Sequence, residues 1–173
     1  QPFCERRGPA IRLPLNFNSP YKASNISDFW KRWHITLSRW LKDYLYIPLG
    51  GNRHGAVRTG ISLIVTMLIG GLWHGAATRF VLWGGLHGLY LCIQHGWRSL
   101  RGSRVEPPGK LMAFANRTLT FVAVMIAWCF FRAADVTSAL NMLAAMAGGN
   151  GFSMAAADPL AYAMLALSAL VAF

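Results

Sequence analysis

The chain has 173 residues, of which 54% are hydrophobic and only 13% charged, with a formal net charge of +11. A soluble domain is about 25% charged, so this composition argues against a soluble enzyme and against a disordered tail. The 17 basic residues separate apolar runs, a pattern typical of membrane flanks, so we expect a lipid bilayer as partner and no nucleic acid.

Residues 1–58 begin with a proline-rich approach segment over 1–25, where four prolines exclude a long helix. From about Asp28 to Tyr46 an apolar stripe recurs at steps of three and four, which predicts an amphipathic interfacial helix capped by Asn25 or Ser27. The stripe holds Trp30, Trp33, Leu37, Trp40 and Tyr44, and the opposite face holds Ser27, Lys31, His34, Ser38 and Lys42.

Residues 59–97 hold two uncharged runs, 59–78 and 80–97, which predict paired membrane helices. A basic loop follows over 98–117, and 118–173 predicts further membrane helices interrupted by an Ala/Gly-rich loop at 135–158. The fold class is therefore all-α, with about three to four membrane-embedded helices in one domain spanning 1–173. The chain starts at Gln1 and stops inside an apolar run, so we expect a fragment of a longer multi-pass protein.

Loop charge predicts the orientation of these helices. Residues 1–58 hold ten basic and three acidic side chains, and 98–117 hold five basic and one acidic. Two predicted spans separate these segments, so both fall on the same side, the cytoplasmic one by the positive-inside rule. A re-entrant path for 59–97 would change this topology.

His74 is the first candidate for chemistry, because an ionisable group at membrane depth is a functional-site hypothesis. Its expected helical neighbours are Gly70, Gly71, Ala77 and Thr78, small residues that leave space beside the imidazole. The pairs Gly71–Gly75 and Gly84–Gly88 form GxxxG spacings that equally predict tight helix packing.

The other histidines are weaker candidates by pattern. His34 lies on the polar face of the amphipathic helix and is by itself more typical of an interface residue. The apolar helix around His87 and His95 favours a role in packing or interhelical hydrogen bonds, with His87 a weak extra candidate. His54 is predicted to be solvated. No zinc-binding, nucleophile-elbow or phosphate-loop motif is present, so we expect no metal.

The residues alone leave three functions open. Imidazole moves protons near neutral pH, so two membrane histidines fit an acyl-transfer enzyme. They fit equally a transporter or channel segment with a histidine proton relay. A non-catalytic membrane scaffold is the third possibility.

The sequence RLPLNFNSPYKASNISDFWKRWHITLSRWLKDYLYIPLGGNR (12–53), followed by GGLWHGA (70–76), resembles the membrane-bound O-acyltransferase family. The resemblance runs from about Arg12 to Trp97 and is nearest to its bacterial alginate O-acetyltransferase branch. It implies that His74 is the catalytic histidine of the WHG motif, and that His34 is a second active-site position.

The resemblance further implies a reaction at the bacterial cytoplasmic membrane. An acyl group, acetyl by this likeness, would pass from a cytoplasmic thioester, acetyl-CoA or an acyl carrier, toward hydroxyls of an extracytoplasmic polysaccharide such as alginate. A periplasmic transferase could be the immediate acceptor. No tightly bound cofactor is implied, the isolated fragment would be inactive, and Lys31, Arg32 and Arg53 are weak candidates for binding an anionic donor.

Overall fold

The computed structural model describes residues 14–102 and 108–149, and within these ranges every long regular element is helical. The predicted all-α class is therefore confirmed for this part of the chain. After a short 3-10 turn at Pro20–Lys22, the helices are α1 (Ile26–Arg32), α2 (Ile35–Leu41, continued by a π-helical turn at Lys42–Tyr46), α3 (Gly55–Trp73), α4 (Thr78–Arg101), α5 (Lys110–Arg132) and α6 (Val136–Met146).

The centre of the fold is the α3–α4 hairpin, in which two backbones meet without side chains between them. The Cα atom of Gly84 lies 3.4 Å from where a Cβ on Gly71 would sit, and a Cβ on Gly84 would collide with the carbonyl of Met67. A Cβ on Gly88 would come within 3.0 Å of the Ile64 Cα. Small residues therefore permit the close helix approach that the glycine pattern predicts.

The predicted pairing of Gly71 with Gly75 on one helix face is wrong, because α3 ends at Trp73. Gly71 instead faces Gly84 of the next helix. For the same reason Ala77 and Thr78 are not helical neighbours of His74, since they follow the turn.

Two of the described helices, α3 and α5, are long and apolar enough to cross a membrane. Helix α4 has 24 residues but includes three arginines and is less apolar. The first apolar part of the predicted segment 118–173 falls inside α5, which begins earlier, at Lys110, within the predicted basic loop 98–117. The count of three to four membrane-embedded helices stays a prediction, as does the division of the domain.

The continuous amphipathic helix predicted from Asp28 to Tyr46 is wrong in one respect: the chain breaks at Trp33 and His34. The start was predicted well, since the Asn25 side chain accepts a hydrogen bond from the Asp28 N–H. The break also divides the apolar stripe: Trp30 is buried, whereas Tyr44 is 67% exposed.

The loop predicted at 135–158 is also partly wrong, because α6 occupies its first half. Asp135 caps this helix by accepting a hydrogen bond from the Ser138 N–H at 2.7 Å. The first half of this segment is rich in alanine, which favours helix strongly. The glycines that indicated a loop come after α6 in the sequence. The apolar run 160–173 lies outside the described residues.

Candidate active site

The break between α1 and α2 is built by the approach segment, which supplies the hydrogen bonds that a continuous helix would make itself. The Asn16 carbonyl accepts from the Ile35 N–H at 2.9 Å, and the Asn16 side chain accepts from both the N–H and the hydroxyl of Thr36. The Asn18 N–H donates in turn to the Arg32 carbonyl. Asn16 thus caps α2 from 18 or more residues away and fixes the chain direction at His34.

His34 has a left-handed backbone conformation, with φ 43° and ψ 54°. Within the described ranges, the only other non-glycine residue with positive φ is Ser19. A non-glycine residue in this region costs about 1–2 kcal/mol, and such strain is characteristic of functional sites, where the surrounding structure enforces it. The left-handed conformation places His34 between α1 and α2, outside both helices.

His74 lies in the turn that joins α3 to α4, outside both helices. It ends α3, and its N–H donates to the Gly71 carbonyl at 3.0 Å. The next residue, Gly75, has φ +149°, and a Cβ there would lie 2.8 Å from the Phe80 ring. The glycine of the WHG sequence is therefore required both by backbone conformation and by the close approach of Phe80.

Aromatic side chains from three elements surround the His74 imidazole. Its ring centroid lies 4.9 Å from Trp73, 5.4 Å from Trp83 and 5.0 Å from Phe131, each in an edge-to-face arrangement. Such contacts fix the orientation of a ring. The His34 ring contacts the same Trp73 indole, with a centroid distance of 6.2 Å and also edge-to-face.

The structure therefore brings the two sequence-predicted site residues to one place, despite their separation of 40 positions in the sequence. The buried Nδ1 atom of His34 has no hydrogen-bond partner among the described residues. Partial burial, and secondarily the neighbouring His34, lower the pKa of His74 from its ordinary value. A lowered pKa keeps the imidazole neutral at lower pH, which is the state able to accept a proton.

The other predicted candidates lie apart from this pair. His87 is fully buried in α4 against Trp30 and Trp83, and neither ring nitrogen has a partner in the described part of the chain. It contacts Trp83, which also contacts His74, so it belongs to the aromatic packing beneath the site. His54 precedes α3 at the helix end farthest from His74, and His95 is exposed on α4.

The three candidate donor-binding cations differ in their surroundings. Arg32 forms an ion pair with Asp28 at 2.9 Å and donates to the Asn18 carbonyl, so it holds the approach segment on α1. Lys31 and Arg53 are exposed. Among the described residues, no group of three or more His, Cys, Asp or Glu side chains could hold a metal ion.

Several side chains that shape the site were not predicted from the sequence. Trp83 and Phe131 form walls around His74 but come from α4 and α5. Arg79, which separates the two uncharged runs, joins the turns at the ends of these elements. Its position as the only charged side chain between residues 59 and 97 was a usable signal; the two aromatics gave none, because aromatics are common throughout the chain.

Comparison with known proteins places this arrangement in a family. Residues 4–134 match the model of MBOAT, the membrane-bound O-acyltransferase family. The chain is 51% identical to a peptidoglycan O-acetyltransferase of Helicobacter pylori over 145 residues, which are 83% of this chain and 27% of the relative.

Two further relatives have different names. A protein named probable alginate O-acetylase, from Azotobacter vinelandii, is 46% identical over 79% of this chain and 26% of its own length. A teichoic acid D-alanyltransferase of Bacillus subtilis is 29% identical over 69% of this chain and 31% of its own length. The chain thus spans about a quarter to a third of the length of these relatives. The resemblance carried by the RWH and WHG sequences is confirmed, and the chain belongs to the membrane-bound O-acyltransferase family.

Proposed function

We propose that this chain carries the acyl-transfer site of a membrane-embedded O-acyltransferase, with His74 as general base. The observation that carries the proposal is the convergence of two histidines on Trp73, one of them held in a strained backbone conformation. Family membership and three relatives named as acetyl or alanyl transferases support it.

The proposed step begins with an acceptor hydroxyl beside the neutral imidazole of His74. The imidazole takes the hydroxyl proton while the oxygen forms a bond to the acyl carbonyl carbon. The carbon–sulfur bond of the thioester then breaks, and the imidazolium returns its proton to the leaving thiolate. An ester and a free thiol result, and no oxidant or reductant is needed.

His34 has a different proposed role, because its free Nδ1 is buried near the same indole. It orients the acyl donor or acceptor, or donates a hydrogen bond to the carbonyl oxygen as negative charge develops there. Asparagine can also donate such a hydrogen bond, whereas alanine cannot. The two histidines therefore have separable roles.

The finer assignments extend the same proposal. The donor is a cytoplasmic thioester, acetyl-CoA or an acyl carrier, and the acceptor is an extracytoplasmic polysaccharide such as alginate, reached directly or through a periplasmic transferase. The protein is a multi-pass protein of the bacterial inner membrane. Lys31 and Arg53, both exposed, remain available to bind an anionic donor, whereas Arg32 is engaged by Asp28.

The test uses the full-length protein in its own cell, with ester-linked acetate measured on extracted polysaccharide. We expect His74→Ala to accumulate in the membrane and to lose about 100- to 10,000-fold of the transfer rate, the contribution of a general base. His34→Ala loses a large part as well, and His34→Asn retains some activity.

The matched control is His95→Ala, which removes an exposed imidazole from α4 and is expected to leave ester content unchanged. Wild-type ester content in His74→Ala would remove the assignment of the base. Thiol release from acetyl-CoA by the purified protein separates a transferase from a transporter with a proton relay, which would release none.

A further inference from the structure

Arg79 connects two turns of the fold that are far apart in sequence. It lies in the first turn of α4, and its Nη1 donates to the Ala133 carbonyl at 2.9 Å and also to the Ala134 carbonyl. These two carbonyls lie just beyond the last residue of α5, at its C-terminal end. A cation there is also favoured by the helix dipole.

The same guanidinium makes a second contact, with an aromatic ring that borders the His74 site. Its central carbon lies 4.8 Å from the centroid of the Phe80 ring, a cation–π contact. Phe80 packs against Phe131 at 5.2 Å, and each of these two rings contacts His74. Arg79 therefore touches one wall of the His74 site directly and holds the end of the helix that carries the other.

An acidic group that senses the charge of Arg79 is Asp135, the N-terminal cap of α6. Its pKa is lowered chiefly by the hydrogen bond from the Ser138 N–H, with Arg79 as a minor cause. Arg79 and Asp135 form no ion pair in the described ranges. The guanidinium contacts the two carbonyls through Nη1 and also the Phe80 ring, while its buried Nε has no hydrogen-bond partner among the described residues.

We infer that Arg79 is a positioning residue for His74: it locks the α3–α4 turn against the α5–α6 turn, so that Phe80 and Phe131 hold the imidazole in one orientation. The inference rests on the proposed function, because it assigns a residue to that same site. Arginine suits the role because its planar group carries five donors and stacks on aromatic faces. Lysine can donate to the carbonyls but does not stack in the same way.

The test compares Arg79→Met and Arg79→Lys in the full-length protein, with thiol release measured over a range of acetyl-CoA concentrations. We expect Arg79→Met to lower kcat about 10- to 100-fold, the cost of a catalytic group displaced by about 1 Å, with KM within about twofold. Arg79→Lys lowers kcat about 2- to 10-fold, the equivalent of one lost hydrogen bond. The matched control is Arg101→Met, since Arg101 also lies over an aromatic ring, that of Trp97, but is exposed at the end of α4.

Wild-type kcat in either Arg79 variant overturns the inference, and so does a loss that appears in KM alone. If Arg79→Met fails to accumulate, Arg79→Lys decides the question by the same criterion. A different result, wild-type activity in His74→Ala, would contradict the proposed function. An inactive His74→Ala with unaffected Arg79 variants would remove only the positioning role.

Discussion

The two histidines are presented by two regions that are built in different ways. His74 lies in the turn of the α3–α4 hairpin, where glycines let the two backbones touch. His34 lies at a break between two helices, the second of which is capped by Asn16 of the preceding segment. The comparison teaches that one half of the site is fixed by close backbone packing and the other by hydrogen bonds from a non-helical segment. Each half predicts a different response to substitution.

The largest effect is expected in the hairpin, from Gly84→Ala. The added methyl group collides with the Met67 carbonyl, so the two helices must separate. We expect a loss of about 1–3 kcal/mol in the free energy of unfolding, as for an overpacked core. The measurement is the unfolding transition of the detergent-solubilised full-length protein.

Gly96→Ala is the matched control, because it lies in the same helix and a Cβ there meets nothing within 4 Å. It is expected to stabilise the protein by up to about 0.5–1 kcal/mol, since alanine favours helix more than glycine does. Equal destabilisation by both substitutions would show that close backbone packing does not set the hairpin.

A smaller effect is expected at the break between α1 and α2, where glycine should be more stabilising than alanine. His34→Gly and His34→Ala both remove the imidazole, but only glycine accepts φ 43° without strain. We expect the glycine variant to be more stable than the alanine variant by about 1 kcal/mol, while both lose activity. At Arg39, an exposed position inside α2, glycine should instead be the less stable of the two. The same order at both positions would mean that His34 is not strained in the protein.

The smallest expected effect is a shift in the pH dependence of activity, which links the two histidines. If neutral His74 is the base, activity falls as the pH drops through its pKa, which burial and then His34 lower. His34→Asn removes the second cause, so the acid limb of the pH–rate profile should move to higher pH, part of the way toward that of an ordinary histidine. His54→Asn, at the other end of the 19-residue helix α3 and so about 28 Å away, should leave the limb in place. An acid limb at the same pH in His34→Asn would show that the charge of His34 does not affect the pKa of His74.

Sequence patterns predicted the features that depend on neighbouring residues. The uncharged run 59–78 predicted α3, one of the two predicted caps (Asn25 or Ser27) does cap α1, and the glycine spacing indicated close helix packing. The RWH and WHG sequences were sufficient to identify the family. Each of these signals lies within a few turns of chain, where spacing alone determines which side chains share a face.

Only the tertiary structure decided how the two histidines meet. A periodic apolar stripe predicted an unbroken helix through His34, because nothing near that position shows that Asn16 will supply hydrogen bonds to α2. Likewise, Phe131 joins the His74 site from more than 50 residues further along the chain, and the Ala133 carbonyl that Arg79 holds is equally distant in sequence. Periodicity records which face of a helix is apolar, whereas the partner of that face is chosen by packing among all the helices at once.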